Sequence, residues 1–261
     1  MPKPYFLRIS SQKGGVGKTT IAVNLSTALV RQGFRVLLVD ADTTNPSVGF
    51  HLGIDEVNTG IREVMSGKSN LRNTIIRHNT TGMHILPGTA YSAPFIPAKE
   101  SIERLMGMLA KESYDFIIVD TAPGIGIMDI FKLYDEAIII SSPEMSACAS
   151  SIRLASTYDK EKLKHNLILN RVKNRKYEIS VREIEEMYGD RVRASIPEDE
   201  IVPISISEHI PAIMLDGKTR FSTAVKEMSG IYAASTGTEA YGSTKRGRSI
   251  IAFLRKIFNI Q

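Results

Sequence analysis

The sequence predicts an α/β protein: a single-domain, three-layer, doubly wound fold around a mainly parallel sheet. Three observations predict it. Runs such as Val36-Leu37-Leu38-Val39 and Phe116-Ile117-Ile118-Val119 are apolar at every position, as strands covered on both faces are. Segments with helical period separate these runs, which is the pattern of crossover helices between parallel strands. The first strand-like run leads straight into a glycine-rich loop and then a helix. The 261 residues suffice for one large domain with a full core.

The elements follow in chain order. Tyr5–Ile9 is the first strand. Thr19–Gln32 reads as a helix, with Ile21, Leu25, Ala28 and Leu29 on one side and Gly33 as its stop. Val36–Val39 is a buried strand that ends in Asp40. Met83–Leu86 is a short strand closed by Pro87-Gly88. Ala98–Glu112 is helical, and Phe116–Val119 is a strand that ends in Asp120. Glu136–Ser141 and Asn166–Asn170 are two further strands. The chain has no internal repeat.

From Ala233 the texture changes. Residues 233–247 are rich in Ser, Thr, Gly and Ala without apolar period, which predicts a flexible linker after a domain at 1–232. Residues 248–261 predict an amphipathic helix. At about 100° per residue, Ile250, Ile251, Phe253, Leu254, Ile257, Phe258 and Ile260 fall on one half. Ala252, Arg255, Lys256 and Asn259 fall on the other. Lys245, Arg246 and Arg248 precede it. A basic amphipathic helix on a linker reads as an anchor to an anionic membrane surface.

Charge supports this division. The net charge is +5, and the five basic residues after position 242 account for all of it, since no acid follows. The body sums to zero, which argues against DNA as its partner. No stretch reaches the ~20 apolar residues of a spanning helix. The strand-like start leaves no room for a signal peptide, and the single Cys148 fits a reducing compartment. A cytoplasmic protein, peripheral on the inner face of the cell membrane, is expected.

The chemistry starts at Lys13-Gly14-Gly15-Val16-Gly17-Lys18-Thr19-Thr20. Glycines between a strand and a helix let backbone N–H groups converge on phosphates without Cβ clashes. Lys18 would neutralise the β/γ-phosphates, and the Thr19 hydroxyl would ligate Mg2+. The first glycine of the usual spacing falls on Gln12, so the pattern departs there. Asp40 and Asp42 follow one strand and Asp120 another, over the crevice where nucleotides bind in such sheets.

With Lys13 before the first glycine, this loop resembles that of the deviant Walker A ATPases, the MinD/ParA family. The resemblance covers about residues 5–230, and the tail resembles the membrane-targeting helix of its MinD branch. It implies a P-loop NTPase fold, ATP/ADP and Mg2+ as cofactors, and an ATP-dependent homodimer. Lys13 would reach the nucleotide of the partner subunit. Asp42 would orient the attacking water, and Asp40 and Asp120 would hold the Mg2+ shell with Thr19. Asp120-Thr121-Ala122-Pro123-Gly124 resembles the second switch. Asn170-Arg171 and Pro197-Glu198-Asp199 resemble the adenine-binding segments, where a side-chain amide can pair with the base edge. One departure stands out: MinD proteins commonly carry Asn seven residues after the first Asp, and this chain has Ser47.

The function expected is a dimerising ATPase that cycles on and off the membrane to position division or other cell-surface machinery, with an activator or cargo protein as partner. A ParA-like DNA-segregation ATPase and a regulator of flagellum number or placement are the alternatives. A tyrosine autokinase with a similar loop would carry a terminal tyrosine cluster, and only Tyr232 and Tyr241 lie near the end. The five histidines show no metal spacing, and one cysteine cannot supply a cluster-binding set.

Overall fold

The structure, a computed structural model, describes residues 3–54, 57–89, 97–124, 133–189 and 191–235. Strand β1 (Tyr5–Ser10) feeds the glycine loop and helix α1 (Lys18–Arg31), and β2 (Val36–Asp40) follows. Three short helices come next: α2 (Val48–Leu52), α3 (Ile61–Met65) and α4 (Leu71–Thr74). Then come β3 (Ile76–Arg77), β4 (His84–Leu86), α5 (Lys99–Leu109), β5 (Phe116–Asp120) and β6 (Glu136–Ser141). The chain continues through α6 (Met145–Lys160), β7 (His165–Val172), α7 (Val181–Tyr188) and β8 (Val192–Pro197). It closes with α8 (Ile201–Ser207), α9 (Ala212–Leu215) and α10 (Arg220–Ser235).

The strands form one eight-stranded sheet in the order β3-β4-β2-β5-β1-β6-β7-β8. All neighbours run parallel except β3 and β4. From β1 the chain moves to β2 on one side, and from β5 it crosses β1 to reach β6 on the other. That reversal leaves a crevice over the carboxyl ends of the central strands.

Alternate residues of one strand serve opposite cores, which is why the runs lack alternation. Leu37 and Val39 join the cluster covered by α3, α5 and α6, through Ile61, Leu105 and Leu154. Val36 and Leu38 join the cluster covered by α1 and α10, through Leu25, Leu29, Phe221 and Val225. Three layers result, as expected.

Two boundaries differ from expectation. Helix α10 runs to Ser235 with Ala233 and Ala234 buried, so the domain extends past residue 232. Alanine is the best helix former, and here it packs as apolar surface, so a small-residue composition does not by itself mark a linker. Strand β7 continues to Val172, past Asn170, through an irregular register with β8. The rest of the predicted linker and the helix at 248–261 lie outside the described residues. Among the described residues no helix is long and apolar enough to cross a membrane.

Candidate functional site

The glycine loop leaves β1 and enters α1 at Gly17, whose φ of 93° lies in the left-handed region. A Cβ there would lie 2.3 Å from Asn170 Nδ2, so both conformation and space require glycine. Asn170 is buried and donates Nδ2 to the Val16 carbonyl at 2.8 Å. Arg171, itself left-handed at φ 64°, donates Nη1 to the Gly15 carbonyl at 3.2 Å. The pair expected to meet the base thus braces the phosphate loop from β7.

Glu198 faces this brace, 3.3 Å from Arg171 Nε and 3.6 Å from Lys173 Nζ. Its backbone N–H bonds the Val172 carbonyl, which holds Pro197-Glu198 beside β7. Asp199 is different. Its Oδ1 accepts from Ile201 N and its Oδ2 from Phe221 N, both at 3.1 Å, so its carboxylate holds α8 and α10 in place.

The carboxylates sit one strand apart. Asp40 and Asp120 are register partners at the ends of β2 and β5, and both are fully buried. Asp40 Oδ2 accepts from Val48 N at 3.0 Å, and Asp120 Oδ2 accepts from the Thr19 hydroxyl at 2.6 Å. The other oxygen of each, Oδ1, is buried without a hydrogen-bond partner. Burial, and next the nearby Asp120, raise Asp40 well above the usual carboxylate range. Burial pushes Asp120 up to about 6, against the pull of the Thr19 hydroxyl and Lys18. Lys18 is buried at the first position of α1, and burial lowers its pKa while Asp120 and Asp42 oppose that.

Asp42 folds into a turn. Its Oδ1 accepts from Thr44 N (3.2 Å), Thr44 Oγ1 (2.6 Å) and Asn45 N (2.9 Å). Its charge acts to raise the pKa of Lys18, Asp40 and Asp120. The segment that resembles a second switch is tied to β1 and the start of the loop: Gly124 N bonds the Ser11 carbonyl at 2.8 Å, and the Thr121 hydroxyl bonds the Ile9 carbonyl at 2.8 Å. Lys13 is exposed and donates Nζ to Ser146 Oγ on α6 at 2.6 Å. Thr20 lies buried behind the loop, its carbonyl held by Asn24.

Two residues join the site with roles that motif reading did not give them: Ser47, noted there only as a departure, and Gly88. Ser47 Oγ lies 2.8 Å from Thr19 Oγ1. Gly88, after β4, lets the segment that follows β2 close in: a Cβ there would lie 2.4 Å from Pro46 Cβ and 3.3 Å from Asp40 Cγ. Its only sequence signal is a turn after a short strand. Gly88→Ala pushes Pro46 outward and costs about 1–3 kcal/mol, the range of overpacking; a lower urea midpoint with unchanged slope is the expected reading.

The donor set fits one kind of cation. One hydroxyl and two carboxylates with orphaned buried oxygens are hard ligands. No group of three or more His, Cys, Asp or Glu that could cage a metal occurs among the described residues. Mg2+ suits such a set, because it keeps its waters and shares substrate phosphates instead of requiring a protein cage. A cavity of about 300 Å³ lined by Phe34, Arg35, His84 and Tyr114 lies at the opposite ends of the strands and holds none of these residues.

Comparison with known proteins agrees with this geometry. A family described as "AAA domain" matches residues 6–171. A putative septum site-determining protein MinD of Oltmannsiellopsis viridis is 30% identical over 220 residues, 81% of this chain and 70% of that one. The structure of the septum site-determining protein MinD of Pyrococcus horikoshii complexed with Mg-ADP superposes with a TM-score of 0.84 at 28% identity, covering 91% of this chain and 99% of that one. A MinC:MinD cell division protein complex of Aquifex aeolicus matches with a TM-score of 0.77 at 25% identity, over 92% and 98% of the two chains. The match across more than half of its length and these relatives together show that the chain belongs to the MinD/ParA family of ATPases.

Proposed function

We propose that this chain is a MinD-type ATPase that binds ATP and Mg2+, dimerises on ATP, and uses the dimer to place division machinery at the membrane. The observation that carries the reading is the Thr19 hydroxyl bonded to Asp120, beside two buried carboxylates with orphaned oxygens and next to Lys18. Lys18 and the glycine-loop N–H groups hold the phosphates. Mg2+, when bound, neutralises charge that develops on the transferred phosphate. Thr19 is its hydroxyl ligand, with Asp40 and Asp120 behind it. Asp42 orients the attacking water from the segment after β2, which serves as the first switch. Asn170 and Arg171 keep the loop in shape while the Pro197-Glu198 segment flanks the base.

Lys13 acts in the dimer. It leaves Ser146 to meet the nucleotide of the second subunit, so its charge is offset only when two chains face each other. The tail supplies the output. Each large apolar side chain contributes up to roughly 1.5–3 kcal/mol on full burial, and each basic residue about 1 kcal/mol at an anionic surface. Ordering the helix costs about 1–2 kcal/mol per residue of backbone. One tail is therefore marginal, and two on one dimer bind with avidity.

Co-sedimentation with anionic liposomes tests this. The full chain pellets with ATP and stays soluble with ADP or no nucleotide. The chain lacking 249–261 and the Lys13→Ala variant stay soluble throughout. Equal pelleting in all three nucleotide states overturns the proposal.

A further inference from the structure

Ser47 stands where MinD proteins commonly have Asn, and its hydroxyl does something unusual for its position. It is the residue before α2, where a serine side chain ordinarily accepts from the first-turn N–H groups. Here it makes no capping bond. It reaches instead to Thr19, twenty-eight residues away in sequence. The direction of that bond follows from the rest of the network. Thr19 has a single proton, and Asp120 Oδ2 takes it at 2.6 Å. Ser47 must then donate to Thr19 Oγ1 at 2.8 Å.

Resting on the nucleotide–Mg2+ reading above, we propose that Ser47 is a positioning residue for the cation: it fixes the Thr19 hydroxyl so that one lone pair is left for the metal, and it ties the first switch to metal occupancy. A hydroxyl oxygen has two lone pairs and one hydrogen. With the hydrogen on Asp120 and one lone pair on Ser47, the rotor is locked and one lone pair remains. The neighbouring residue completes the tie, because Val48 N bonds Asp40 Oδ2. Ser47 and Val48 thus hold two members of the cation set from one end of α2. The fit of Pro46 against Gly88 keeps that end seated.

The test measures ADP affinity by calorimetry, with Mg2+ and with EDTA, for the wild type, Ser47→Ala and Ser47→Thr. Wild type gains affinity on adding Mg2+. In Ser47→Ala that gain falls by about tenfold, the lower end for loss of a partner behind a metal ligand, while affinity in EDTA is unchanged. Ser47→Thr restores the gain. Hydrogen exchange at the Val48 amide, slowed by Mg2+ and ADP in the wild type, is not slowed in Ser47→Ala. An equal loss with and without Mg2+ shows a merely structural role and overturns the proposal. A full Mg2+ gain in Ser47→Ala also overturns it, leaving the nucleotide reading intact. No Mg2+ gain in the wild type overturns both.

Discussion

Lys18→Met weakens nucleotide binding by at least about thirtyfold while the fold survives. The Lys18 ammonium is the cation buried at the helix entrance, held between burial and the charges of Asp120 and Asp42. Removing one member of a buried charge pair costs roughly 2–5 kcal/mol, so ADP affinity falls by roughly 30-fold to several thousand-fold. Without ligand the urea midpoint moves little, because burial and the two carboxylates act on the ammonium in opposite directions. Calorimetry with ADP and a urea titration of the free chain read the two halves separately. Undiminished affinity would remove the phosphate-binding role from this loop.

Asp120→Asn has two consequences of opposite sign. Hydrolysis falls by about 10²–10³-fold, the scale of losing one preorganised electrostatic partner, because Thr19 and the cation lose their carboxylate. Stability of the free chain at neutral pH rises. The sign follows from the pKa: Asp120 sits at about 6 in the fold, above the ordinary 3.8. The folded state therefore binds the proton more tightly than the unfolded chain. The stability this lends is complete below about pH 4 and is lost as pH rises through 6, on the order of 3 kcal/mol at most. Asp40, raised in the same direction, adds to the trend. Urea midpoints measured from pH 4 to 8 should fall in the wild type and stay flatter in Asp120→Asn. Identical slopes would show that the carboxylate is not buried as described.

The parts of this site that could be read from the sequence are contiguous in the chain. The glycine loop carries its own spacing, and Asp40 and Asp120 each close an apolar run, so their meeting needs only a parallel sheet. Ser47 is marked only by its spacing from Asp40, and Gly88 only as a turn after a short strand. Their roles arise from approach across the fold, to Thr19 in one case and to Pro46 and Asp40 in the other. Arg171 was legible as a site residue, but its bond to the Gly15 carbonyl was not, since its left-handed backbone accompanies a register shift between β7 and β8. Helices α2, α3 and α4 are four or five residues long, too short for a period to show. The domain runs a few residues past 232 because alanine and serine suit both a helix and a linker, and only the contact of α10 with α1 decides.

The pairing of Asp40 with Asp120 has a further consequence for how long the molecule lasts. Two adjacent buried carboxylates with unmet oxygens weaken the empty fold, and a ligand that binds only the folded chain shifts the folding equilibrium by mass action. Occupancy then governs survival as well as activity. A protease that cuts the opened chain should digest the empty protein faster than the loaded one, so the pool of intact protein would follow the supply of its ligand.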